Sequence, residues 1–143
     1  MTYHPLHPMA AHFPIALLLA SVAIDLLVAF KPALTAWRST SFAILLLGSA
    51  GAVAALGTGH LDTTFLGAPM DLVGNHLLAA MLATLTFAGL AVWRVVARRR
   101  SAPPRALYFA VAALGVVLVV ATGLTGGQLV YGHGIGVAAP VMR

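Results

Sequence analysis

Four stretches of this chain, residues 10–30, 39–59, 73–96 and 106–131, are almost wholly apolar, and each is long enough to cross a bilayer. About 20 residues of helix, at 1.5 Å each, span the roughly 30 Å of hydrocarbon. Backbone polar groups cannot be left bare in lipid, so such runs must be helices or the strands of a closed barrel. None of the four alternates polar and apolar residues as a barrel wall does, which predicts helices. Composition agrees: 61% of the residues are hydrophobic and only 8% charged, where a soluble domain carries about a quarter charged. The outside of the fold must therefore be apolar as well. Breakers divide the runs, with Pro32 after the first, Gly67 and Pro69 between the second and third, and Pro103-Pro104 before the fourth. The prediction is one all-α domain over residues 1–143, an integral membrane up-down four-helix bundle with no room for a soluble module.

The net charge of +5 would suggest nucleic acid in a soluble protein, but here the basic residues sit between apolar runs and report topology. Lys31, Arg38, Arg94, Arg98, Arg99, Arg100 and Arg105 all fall in or beside the first and third connections, and only Arg143 lies elsewhere. Cytoplasmic loops keep the Lys/Arg excess, so both termini are expected on the non-cytoplasmic side of the membrane. Trp37 and Trp93 then mark the inner interface, Tyr3 and Tyr131 the outer one. Positive charge follows the first run instead of preceding it, so that run is expected to be a retained helix and not a cleaved signal. The chain has no cysteine, which excludes disulfides, thiolate chemistry, iron–sulfur ligation and covalent haem attachment.

With that topology all six histidines fall at one membrane face. His4 and His7 lie in the tail, His12 opens the first helix, His60 closes the second, His76 opens the third and His133 closes the fourth. Imidazole is amphipathic, and the tail pair and His133 can simply face headgroups and water. His12 and His76 lie about a turn inside their helices, where an ionisable group is costly without a partner or a function. Neutral imidazole is the commonest metal ligand, and four-helix bundles build cofactor sites from facing helices. In an up-down bundle the first and third helices are diagonal, so His12 and His76 are the expected axial ligands of a six-coordinate b-type haem; His60 and His133 form a second diagonal pair. Gly123, Gly126 and Gly127, with Gly48, Gly51, Gly57 and Gly59, leave room for a flat macrocycle or, more plainly, for close helix packing. A copper or zinc site is the rival, with His4, His7, His12, His60 and His133 as an open cluster and Met9 as a soft ligand. The chain has no glutamate, so a di-iron carboxylate site is excluded. Asp25 is expected to pair with Lys31 or Arg38, with a proton relay as a further possibility. Asp62 and Asp71 are expected in the outer loop, as imidazole partners or helix caps.

Three segments together resemble a bacterial family of four-helix membrane proteins, domain of unknown function 2231. They are His12-Phe13-Pro14-Ile15-Ala16-Leu17, the Gly59 and Asp62 pair, and the terminal run from Gly126-Gly127-Gln128 through Tyr131-Gly132-His133 to Val137. The resemblance covers nearly the whole chain, and the terminal run is its specific part. It implies an inner-membrane protein in an electron-transfer setting, since similar arrangements are joined to c-type cytochrome or Rieske modules. His12, His76 and His133 match the family pattern; His60 stands at a position usually apolar. The expected function is thus a small membrane-anchored b-type cytochrome, or a cytochrome-like electron-transfer subunit of a larger respiratory or photosynthetic complex, with c-type cytochrome or Rieske partners. Two other classes stay open: a cofactor-free accessory subunit that scaffolds a membrane complex, and a copper or zinc binding or transport protein. No nucleophile–base pair, phosphate loop or carboxylate dyad points to a conventional enzyme.

Overall fold

The computed structural model describes residues 6–99 and 106–137, and over these the chain is helical with no strand. Helix α1 runs His7–Phe30, α2 Trp37–Leu66, α3 Met70–Arg99 and α4 Ala106–Gly127, the last continued by a π-helical turn over Gln128–Gly132. Each of the four is long and apolar enough to cross a membrane. Tyr3, His4, Arg100, Pro103, Pro104, Arg105 and Arg143, which the sequence singled out, lie outside the described residues.

The helix bodies fall where the hydropathy places them, but the histidine end extends further than the apolar runs do. The connection expected over residues 60–72 shrinks to Gly67, Ala68 and Pro69. Gly67 takes the left-handed conformation, φ 60°, and the Ala68 N–H reaches back to the Thr63 carbonyl at 3.1 Å. That is a Schellman stop, after which Pro69 cannot continue the helix. His60 and Asp62 therefore lie within α2 and not in a loop. Asp62 is buried, and its carboxylate accepts the backbone N–H groups of His7 at 2.9 Å and Leu6 at 3.3 Å. A side chain of α2 thus caps α1, satisfying N–H groups that a helix start leaves open and matching its positive dipole end. This cap lets α1 begin at His7.

Consecutive helices pack antiparallel. The α1–α2 pair is closest, then α3–α4, while α1 meets α4 only sparsely and lies diagonally across from α3. Glycines set the close approaches: a Cβ on Gly48 would come within 2.9 Å of Leu18, and one on Gly115 within 2.9 Å of Phe87. The core joins Leu18 and Val22 of α1 to Leu45 of α2, Phe87 and Leu90 of α3, and Ala112 of α4. Outward faces carry Leu27, Leu47, Leu85, Val117 and Leu124, all exposed. Such a continuous apolar exterior needs lipid around it.

Gly115→Val is expected to lower stability by about 1–3 kcal/mol, because the Phe87 ring is fully buried and has nowhere to move. Gly89→Val, where nothing lies within 4 Å, should cost nothing comparable. The midpoint of unfolding by dodecyl sulfate in mixed micelles measures both.

Candidate functional site

Two polar layers interrupt the apolar core, one near each end. At the end carrying Lys31 and Arg38, Asp25 of α1 is 7% exposed and faces Arg94 of α3. The Arg94 guanidinium donates to the two carboxylate oxygens at 2.9 and 2.7 Å, and to the Arg38 carbonyl at 2.9 Å. The hydroxyls of Tyr108 from α4, at 2.6 Å, and of Ser41 from α2 donate to the same carboxylate. The guanidinium also lies over the Phe42 ring, 5.4 Å from its centroid. One carboxylate therefore ties all four helices together. Lys31 and Arg38, the partners expected for Asp25, do not supply the cation; Lys31 is exposed just past α1 and Arg38 is exposed in the first turn of α2, while Arg94 points inward from α3.

The opposite layer holds the histidines. A backbone carbonyl can only accept, so an imidazole nitrogen facing one carries the proton. His7 Nδ1 donates to Ala55 O at 2.8 Å, and His76 Nδ1 to Thr122 O at 3.1 Å with the Thr125 hydroxyl 3.4 Å away. In each ring Nε2 keeps its lone pair, the tautomer of a metal-binding imidazole held by a second partner. The two rings meet edge-on, centroids 5.7 Å apart and planes at 80°. Glycines seat them: a Cβ on Gly59 would sit 3.0 Å from His7 Nδ1, and one on Gly126 3.0 Å from His76 Cε1.

Diagonal helices α1 and α3 thus bring two imidazoles together, as the bundle topology requires. The ring that meets His76 is that of His7, however, and not that of His12. Once α1 starts at His7, position 12 falls on its outer face: His12 is exposed and its Nδ1 turns back to Pro8 O at 2.5 Å. His60 is exposed on α2, and His133 is exposed beyond α4 with Nδ1 on Gln128 O at 3.1 Å. Among the described residues no three His, Asp or Glu side chains gather as a metal cage. Gly126 and Gly59, expected to make room for a macrocycle or a neighbouring helix, make room for the histidine rings themselves.

Sequence reasoning offered Asp62 as a helix cap but set it in a loop without naming α1 as the helix it caps, and it missed the Arg94 partner. The signal for Arg94 was present, since a carboxylate deep in one apolar run calls for a cation in another, and Arg94 alone lies inside such a run.

The model of the family described as Predicted membrane protein (DUF2231) matches residues 3–139, nearly the whole chain, and the chain belongs to that family. No curated protein and no solved structure matches it.

Proposed function

We propose that this member of the family is an electron-transfer subunit whose redox centre is a b-type haem held between His7 and His76. The observation that carries the proposal is the meeting of two imidazoles from diagonal helices, each with Nδ1 anchored and Nε2 unspent. The fit is one of separation and number. With ring centroids 5.7 Å apart, the two imidazoles are close enough that both would hold one iron through Nε2. A haem needs only two protein ligands, which suits a pair better than a structural zinc site would. When bound, such a group would carry a single electron without an open position for oxygen. The protein fixes both imidazoles by their carbonyl partners and keeps water away with the helices around them.

The Lys/Arg distribution supports a cytoplasmic position for the Asp25 end, which sets the His7–His76 layer near the outer face of a bacterial inner membrane. A c-type cytochrome or Rieske protein on that side is the matching class of partner. A second proposal rests on Gly57, Gly89 and Gly123, whose surroundings are open to 4 Å. They suit close packing of neighbouring helices, as in a subunit that scaffolds a larger complex, with or without a cofactor.

The test is a visible spectrum of the full chain, purified in mild detergent from haem-replete cells. A Soret band with an α-band that sharpens on dithionite reduction is expected. A colourless protein overturns the haem; elemental analysis then separates bound copper or zinc from a plain scaffold.

A further inference from the structure

At the histidine end, α3 and α4 leave an open groove between them, lined by Asp71, Asn75, Thr125, Gln128 and His133. One wall is the π-helical turn Gln128–Gly132. Such widened turns are frequent at functional sites. The turn brings His133 back over Gln128, so Nδ1 donates to the Gln128 carbonyl and the Nε2 lone pair is left over. The electron-transfer proposal uses only Gly126 of this terminal segment and gives the groove no role.

The lining restricts what can lie there. It contains no lysine or arginine and does contain the Asp71 carboxylate, so phosphates and carboxylates are disfavoured. Too few ligating side chains converge among the described residues to hold a metal ion. A neutral group that both donates and accepts is complementary: Asp71 and His133 Nε2 accept, and the Asn75 and Gln128 amides donate. Leu72 and Leu129 supply apolar walls against which a flat ring can rest. From Asp71 to Asn75 the groove descends four residues of helix, about 6 Å, close to the depth of one six-membered ring. It opens at the end of two apolar spans, so an occupant with a hydrocarbon tail can leave that tail in the bilayer.

We propose that this groove binds the head group of a membrane quinol or quinone. Thr125 lines the groove and also stands beside His76, so the bound ring is one side chain away from the imidazole pair. Binding itself needs no metal there.

The test is calorimetric titration of the detergent-solubilised full chain with decylubiquinone. Saturable binding at one site is expected. The variant Asn75→Leu/Gln128→Leu, which removes both amides, and His133→Phe should each weaken it about tenfold or more. These three residues are exposed, and unchanged helical circular dichroism verifies that the fold survives. A parent protein that is colourless yet still binds decylubiquinone sinks the haem and keeps the groove. Absence of saturable binding overturns the proposal, as does equal binding by the amide and His133 variants. Displacement by phosphatidylethanolamine at the same mole fraction also overturns it, by assigning the groove to a lipid headgroup.

Discussion

Asp25→Ala is expected to destabilise the folded bundle by about 3–5 kcal/mol, enough to abolish most of its accumulation in the membrane. The substitution deletes little apolar contact. Its effect comes from what it strands: the Arg94 guanidinium, whose side chain is 13% exposed, loses the carboxylate that two of its hydrogen bonds serve. A lone cation among four apolar helices has neither water nor counter-ion. Tyr108 loses its acceptor at the same time, and a buried hydroxyl left without one adds about 1–3 kcal/mol, while Ser41 keeps the Ser21 carbonyl at 3.2 Å. Asp25→Ala/Arg94→Met should therefore recover part of the loss but not all of it, because methionine removes the stranded charge and leaves the Tyr108 hydroxyl without its acceptor. Tyr108→Phe isolates a single member and should cost about 1.5–3 kcal/mol, the range for a hydrogen bond to a charged group. Trp93 packs edge-on against Tyr108, centroids 6.1 Å apart, so its fluorescence reports unfolding at this layer. If Asp25→Ala unfolds at the same dodecyl sulfate concentration as the parent, the four-helix tie contributes nothing and Asp25 must be sought in another role.

The bundle was legible in the sequence because hydropathy over about 20 residues reports the solvent directly, and no arrangement but a membrane helix satisfies it. The ends were not. His60, Asp62, Thr63 and Thr64 look like a loop by polarity, yet α2 continues through them to Leu66, about two turns further, and stops where Gly67 takes the left-handed conformation. That extension carries Asp62 to the start of α1, and the cap it makes moves the first turn from the region of Ala10 to His7. The added turn puts His7 on the inward face of α1, while His12 points outward wherever the helix begins. Helical spacing puts His7 and His12 five residues apart, about 500° of rotation, so they cannot share a face. The clustering of histidines at one end was readable; which pair meets depends on the cap, a contact 55 residues apart in the chain. Asp25 illustrates the same boundary. Its need for a partner follows from its depth, but Lys31 and Arg38 are nearer in sequence, and only the packing of α3 against α1 and α2 selects Arg94.

The second large effect separates the two candidate axial pairs. His7→Ala and His76→Ala are each expected to remove the Soret and α-bands, whereas His12→Ala should leave both unchanged, since the His12 ring is exposed and bonded within its own helix. Added imidazole should restore part of the spectrum of His7→Ala, because that variant leaves a ligand-sized space against Ala55 and Gly59. Gly126→Val probes the site without touching a ligand. Its Cβ would stand 3.0 Å from His76 Cε1 and 3.2 Å from Nδ1, so the ring must turn and give up the Thr122 carbonyl. Loss of such an orienting partner typically lowers metal affinity about 10–100-fold. The haem should then leave in gel filtration while the helical signal stays at the parent level. The opposite pattern, bleaching by His12→Ala with His7→Ala coloured, assigns the ligand to His12 and means that α1 rotates when the cofactor enters. That rotation would break the His7–Asp62 cap, so its cost would show as a lower unfolding midpoint for the coloured form than for the colourless one.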